Sequence, residues 1–177
     1  MTNDIVIILD GRCLCLYCDV DRSCGSIAKF SKHDADTYRE VSRKFKDYVQ
    51  YFVAPATYYP PSPTIEAAAR MQQTDIGREL FEVTEKSPVV FINELFEDEH
   101  VKTMMLSLSC IWGLDYDVTG VGYLIPLYLN RSTNYRLTVG GSHMLAQALH
   151  KIVLENGGLS LTNQRIKRIV VGDNSAK

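Results

Sequence analysis

Tyr38, Val41, Phe45, Tyr48, Val49 and Phe52 recur at spacings of three and four. A 3.6-residue period returns every third or fourth side chain to the same side, so this is one face of a helix of about five turns. The opposite face carries Arg39, Glu40, Arg43, Lys44, Lys46 and Asp47, which reads as a solvated surface. In front of it, Ser31-Lys32-His33-Asp34 resembles a capping box, with Asp in place of the usual Glu. A stripe this long has to be buried against other elements, and the rest of the chain must supply them.

Upstream, the apolar run Ile5 to Leu9 is followed by Asp10-Gly11 and then by Cys13 to Tyr17. Asp-Gly between two such runs is a strong hairpin signal. Downstream, Pro55 and the run Tyr58 to Pro63 break the helical pattern and favour extended, polyproline-like backbone. Residues 64–130 read as short helices. Thr74, Ser87-Pro88 and Asp98 supply helix starts, and Trp112-Gly113 supplies a stop. Gly120-Val121-Gly122 precedes an apolar, tyrosine-rich segment, Tyr123 to Leu129. Strands are expected at Tyr135 to Val139, Leu159 to Thr162 and Ile166 to Val171, with a turn at Gly172 to Ser175. The predicted class is α+β, a small and mostly antiparallel sheet capped by several helices that enclose a greasy pocket. The first hairpin and the last strands are expected to share that sheet. Residues 1–135 form the hairpin and helical cap, and 136–177 form a re-entry segment. A hairpin with one arm barely begun at the end of the sequence suggests a piece of a longer protein.

Bulk properties narrow the function. The chain has 177 residues, 46% of them hydrophobic and 23% charged, which excludes a disordered class. A net charge of −2 gives no general grip on nucleic acid. No apolar run reaches the roughly 20 residues that span a bilayer, and the start of the chain is acidic where a signal peptide is basic. A cytoplasmic protein is expected. Of the five cysteines, Cys13, Cys15, Cys18 and Cys24 lie close together, and Cys15 and Cys18 make a CxxC. Four thiols at this density invite a zinc or iron–sulfur reading. The strand pattern argues against it by placing Cys13 and Cys15 on one face and Leu14 and Leu16 on the other. Reduced thiols and no metal are expected.

The stretch Val139 to Gly158, VGGSHMLAQALHKIVLENGG, holds a glycine pair, an amphipathic helix and a second glycine pair. It lacks the third glycine of a dinucleotide fingerprint and the Gly-Lys-Ser/Thr of a P-loop. By pattern it is a strand-to-helix turn closed by a left-handed C-cap. Its wider order is strand, Gly140-Gly141, a helix with Leu145, Ala148 and Leu149, then Gly157-Gly158, strand, Asn163, and a strand with Ile166 and Ile169. This resembles the interior of the phytoene dehydrogenase-like family of FAD-dependent oxidoreductases, which includes carotenoid desaturases, carotenoid isomerases and retinol saturases. The segment Asp10 to Val41 resembles the same family in its DGR turn, its strand ending in Tyr-x-Asp, Ile-x-x-Phe-Ser and Asp-Ala-x-x-Tyr. The resemblance spans nearly the whole chain through order and spacing, with no single diagnostic motif.

The resemblance implies a substrate-binding domain whose parent desaturates, saturates or isomerises an extended, polyene-like molecule. It implies FAD in the intact parent and none in this fragment, because the Gly-x-Gly-x-x-Gly half is absent. Ile166 corresponds to a position whose backbone contacts the adenine of FAD. Gly140 and Gly141 are candidates for close approach to the flavin or to another strand. Tyr123, Tyr128 and Tyr135, flanking the re-entry, are candidates to line a hydrophobic tunnel, against the plain alternative of core tyrosines with hydroxyls at the edge. His143 reads as a solvent-facing residue of the first helical turn. No Ser/His/Asp, Cys/His or paired-carboxylate spacing identifies a catalytic residue. The expected partners are an apolar small molecule, the FAD-binding domain of the parent and a membrane surface touched by the parent. The alternative is a non-catalytic module that binds a lipid or a protein.

Overall fold

β-Branched residues favour a pleated strand, and Ile5–Leu9 (β1) pairs antiparallel with Arg12–Leu16 (β2), from Ile5 opposite Leu16 to Leu9 opposite Arg12. The computed structural model describes residues 5–9, 12–133 and 138–176, so the expected Asp10-Gly11 turn lies outside the described residues. Alternation along β2 buries Leu14 and Leu16 and leaves Cys13 exposed and Cys15 half-buried, as the strand pattern requires. A helix that the sequence pattern did not announce follows at once, Val20–Ile27 (α1), whose N-cap Asp19 accepts from the Arg22 N–H at 2.9 Å. Two buried serines of α1 face the free edge of β2. Ser26 Oγ accepts the Cys15 N–H at 2.8 Å, and Ser23 Oγ accepts the Tyr17 N–H at 2.9 Å. The outward-facing Cys15 amide of β2 and the Tyr17 amide just after it are therefore already bonded.

The apolar stripe forms Lys32–Tyr48 (α2), with Tyr38, Val41, Phe45 and Tyr48 buried. Ser31 caps it by accepting the Asp34 N–H at 3.0 Å. Asp34 does not complete a capping box, because its buried carboxylate serves the loop at Glu97 and Asp98 instead. Pro55 does not end the helix. The chain passes through a π-helical segment, Val49–Val53, into Ala54–Tyr58 (α3). The Ala54 N–H reaches back five residues to the Val49 carbonyl, so the ladder is already changing register where Pro55 lacks a donor. The extended run begins at Tyr59, whose ψ is 155°. Helices Thr64–Met71 (α4), Asp75–Thr84 (α5), Pro88–Leu95 (α6), Glu99–Cys110 (α7) and Leu124–Thr133 (α8) then follow. Thr74 caps α5 through the Gly77 N–H at 3.0 Å, and Asp98 caps α7 through the His100 and Val101 amides. Leu14, Ile27, Phe45, Leu80, Met104 and Ile125 belong to one buried cluster. Each such side chain contributes about 1.5–3 kcal/mol relative to exposure.

The chain divides into two compact units, Met1–Tyr135 and Arg136–Lys177. In the second, His143–Glu155 (α9) ends in the predicted left-handed cap. Gly157 has φ +77°, its N–H donates to Leu154 O at 3.0 Å, and the Gly158 N–H donates to Val153 O at 2.8 Å. Of the strand expected at Tyr135 to Val139, residues 135–137 lie outside the described residues; the one expected at Leu159 to Thr162 is not formed, and of that expected at Ile166 to Val171 only Val171 is in a strand. A two-residue ladder, Val171–Gly172 (β3) with Ser175–Ala176 (β4), is closed by Asp173 and Asn174 at φ +54° and +57°. The architecture is α+β, but the first hairpin and the last strands form separate two-stranded sheets, so the expected common sheet is corrected. Within the described part of the second unit every residue except Gly172 is exposed. An extended segment becomes a strand only when a neighbouring edge accepts its hydrogen bonds.

Candidate functional site

The stripe of α2 is wider than its buried core. Tyr38, Val41, Ser42, Phe45 and Lys46 of this helix form one wall of a cleft of about 250 Å³. Phe96, between α6 and α7, and Leu129 and Asn130 of α8 form the others, with Cys18 and Val20 at the start of α1. Val41, Phe45, Phe96 and Leu129 are all buried and make the apolar part of the lining. Cys18, Ser42, Lys46 and Asn130 bring polar atoms to it. Polar and apolar groups share the lining, a concavity with an apolar floor and polar groups beside it being one form of small-molecule site.

The lining is held by polar contacts behind it. Asp34 is fully buried, and its two carboxylate oxygens accept the Glu97 and Asp98 amides, each at 2.9 Å. These amides directly follow Phe96, so the carboxylate ties the start of α2 to a wall of the cleft. Ser31 Oγ donates to Glu97 Oε1 at 2.8 Å and reinforces the same junction. His33, Asp34 and Glu97 bring candidate metal-ligand atoms within 4.8 Å of one another, but both Asp34 oxygens are already engaged.

One turn before the end of α2, Lys44 pairs with Glu79 of α5 at 3.1 Å, and the Tyr48 hydroxyl donates to the same Glu79 oxygen at 2.9 Å. The hydrogen bond from Lys44 and then that from Tyr48 hold the Glu79 carboxyl below its ordinary range. Burial, followed by the bond to Glu79, pushes the Tyr48 phenol well above its ordinary value of 10. A group whose folded pKa is raised stabilises the fold fully below its unfolded pKa and loses that contribution as pH rises. Between about pH 9 and pH 11, urea midpoints should therefore fall more for the natural chain than for Tyr48→Phe. Equal slopes for the two proteins would remove Tyr48 from the alkaline limb.

The other sequence candidates fall elsewhere. Tyr123 is exposed just before α8, and Tyr128 lies half-buried against Trp112, with ring centroids 6.5 Å apart. Leu129 and Asn130 of that helix, rather than these tyrosines, line the cleft. Tyr135 lies outside the described residues. Ile125 and Leu129, four apart and both buried, carried the helical phase that would have pointed to the right face. Ser42 and Lys46 sat at the margin of the polar face and gave no signal of their own. Burial pushes the Cys24 and Cys110 thiols above their ordinary value, which makes them poor nucleophiles.

Gly140 and Gly141 have φ +88° and +100°, and the Gly141 N–H donates to Thr138 O at 3.0 Å. A tight turn accounts for both glycines. The Met144 and Leu145 amides at the start of α9 donate to Gly141 O and Ser142 O. With these donors engaged and the third glycine missing, the turn does not fit a dinucleotide pyrophosphate. Ile166 lies 75% exposed and outside any strand.

The described residues thus define an α+β helical scaffold carrying a small cleft with an apolar floor and polar groups beside it. Among them no helix is long and apolar enough to cross a membrane. The sequence is 34% identical over 168 residues to one of the subunits of limonene dehydrogenase from Castellaniella defragrans, an alignment covering 94% of this chain and 31% of that protein. The chain therefore spans about a third of the length of the curated relative it matches. No family model and no solved structure matches it.

Proposed function

We propose that this chain is the substrate-binding part of an oxidoreductase that acts on an apolar, unsaturated hydrocarbon. The observation that carries this reading is the alignment with the limonene dehydrogenase subunit, which runs over 94% of the chain. Limonene is a hydrocarbon with no charged or strongly polar group, and the apolar lining from Val41, Phe45, Phe96 and Leu129 suits such a molecule. The resemblance to the phytoene dehydrogenase-like flavoproteins adds FAD as the cofactor of the parent and offers an extended polyene as the rival form of the substrate. Among the described residues the first hairpin and the last strands form separate sheets, so the reading rests on the alignment and the cleft rather than on a common platform.

FAD would be held by the remainder of the parent and would supply an acceptor for electrons or hydride. The chain's own contribution is to bind and orient the hydrocarbon and to exclude water. A membrane surface is a fitting source for such a substrate. The test is to purify the full-length parent, measure bound flavin, and add limonene without oxygen. Stoichiometric flavin whose visible absorbance bleaches is expected. A parent that carries no flavin, or whose flavin is unmoved by every apolar alkene offered, overturns the reading.

A further inference from the structure

We propose that the cleft between α2 and α8 takes a compact cyclic hydrocarbon of limonene size, bounded by Ser42 and Leu129, rather than an extended polyene. The inference rests on the oxidoreductase reading for its substrate class, and on the cleft itself for size and place. A dry cavity of about 150 Å³ accepts benzene, whereas pockets for drug-sized ligands begin near 300 Å³. At about 250 Å³ this cleft has room for one ring with a short branch. Phe45 and Phe96 are 4% and 3% exposed, and both belong to the packed core, so the floor is closed. Asp34 fixes the backbone next to Phe96 through two amide bonds, which keeps that wall from yielding to a longer molecule. Hydrocarbon offers nothing to hydrogen-bond, so recognition here is by shape and by displacement of water.

Half-buried Ser42 borders the cleft and is not part of the core cluster, so Ser42→Phe fills the space without removing core packing. Vapour depletion over solutions of the 177-residue chain reads hydrocarbon uptake directly. Saturable uptake of limonene is expected, with weaker uptake of the longer acyclic farnesene. Ser42→Phe should weaken limonene uptake by about tenfold or more, since an overfilled site disfavours the ligand. Leu129→Ala enlarges the cleft and should shift preference toward farnesene, a gain that a merely unfolded variant cannot give. Tyr59→Ala, in the separate groove beside α3 and α4, should leave uptake unchanged. Limonene uptake that is absent, that survives Ser42→Phe, or that is matched by farnesene in the natural chain overturns the proposal. The parent separates the two failures. Flavin bleaching by limonene with unchanged half-saturation in Ser42→Phe would discard the cleft and keep the oxidoreductase reading. Uptake by the chain with no bleaching in the parent would do the reverse.

Discussion

Asp34→Ala should lower the unfolding free energy by about 3–4 kcal/mol in urea titrations, because two backbone donors lose a charged acceptor together. Each orphaned amide costs roughly 1–3 kcal/mol where water does not replace the lost partner. Asp34→Asn keeps the shape and one carbonyl oxygen but turns an NH₂ toward the second donor, so about 2 kcal/mol should be lost. Alanine and asparagine variants that both stay within about 0.5 kcal/mol of the natural chain would place water, rather than this carboxylate, on the two amides. The effect should extend to function. The clamped amides adjoin Phe96, so loosening them should weaken hydrocarbon uptake more than the change in global stability requires.

Gly122→Ala is the second large effect. A Cβ on Gly122 would lie 1.8 Å from the Val83 carbonyl oxygen and 2.9 Å from that of Lys86, and both obstacles are backbone. The Gly122 N–H bonds to Thr84 O at 3.3 Å, and its carbonyl accepts the Ile125 N–H at 3.0 Å, so the glycine joins the end of α5 to the start of α8. Neither side can retreat without breaking those bonds. A loss of about 3 kcal/mol or more is expected, at the upper end of overpacking costs. Gly25→Ala is the contrast. A Cβ there meets nothing within 4 Å, and the residue is exposed in α1. It should gain about 0.5–1 kcal/mol from helix propensity alone. Thermal or urea unfolding of the two variants side by side checks the pair, and a tolerated Gly122→Ala would mean that α8 does not seat on α5 as described.

The sequence by itself determined what is settled within a few residues. The apolar period of α2, the caps at Ser31, Thr74 and Asp98, the hairpin pairing of β1 with β2 and the Gly157-Gly158 cap each depend on bonds no more than about one turn away. Tertiary structure decided what depends on distant partners. Residues 159–170 have strand-like composition, yet a strand needs a neighbouring edge to take its hydrogen bonds, and composition does not say whether the fold supplies one. Asp34 looked like half of a capping box, but a loop more than sixty residues away claims its carboxylate. Pro55 read as a stop until a π-helical register shift carried the chain past it. The cleft joins residues from Cys18 to Asn130, and their nearness follows from how the helices pack, because burial acts on the folded chain as a whole while periodicity records only which side of each helix is greasy.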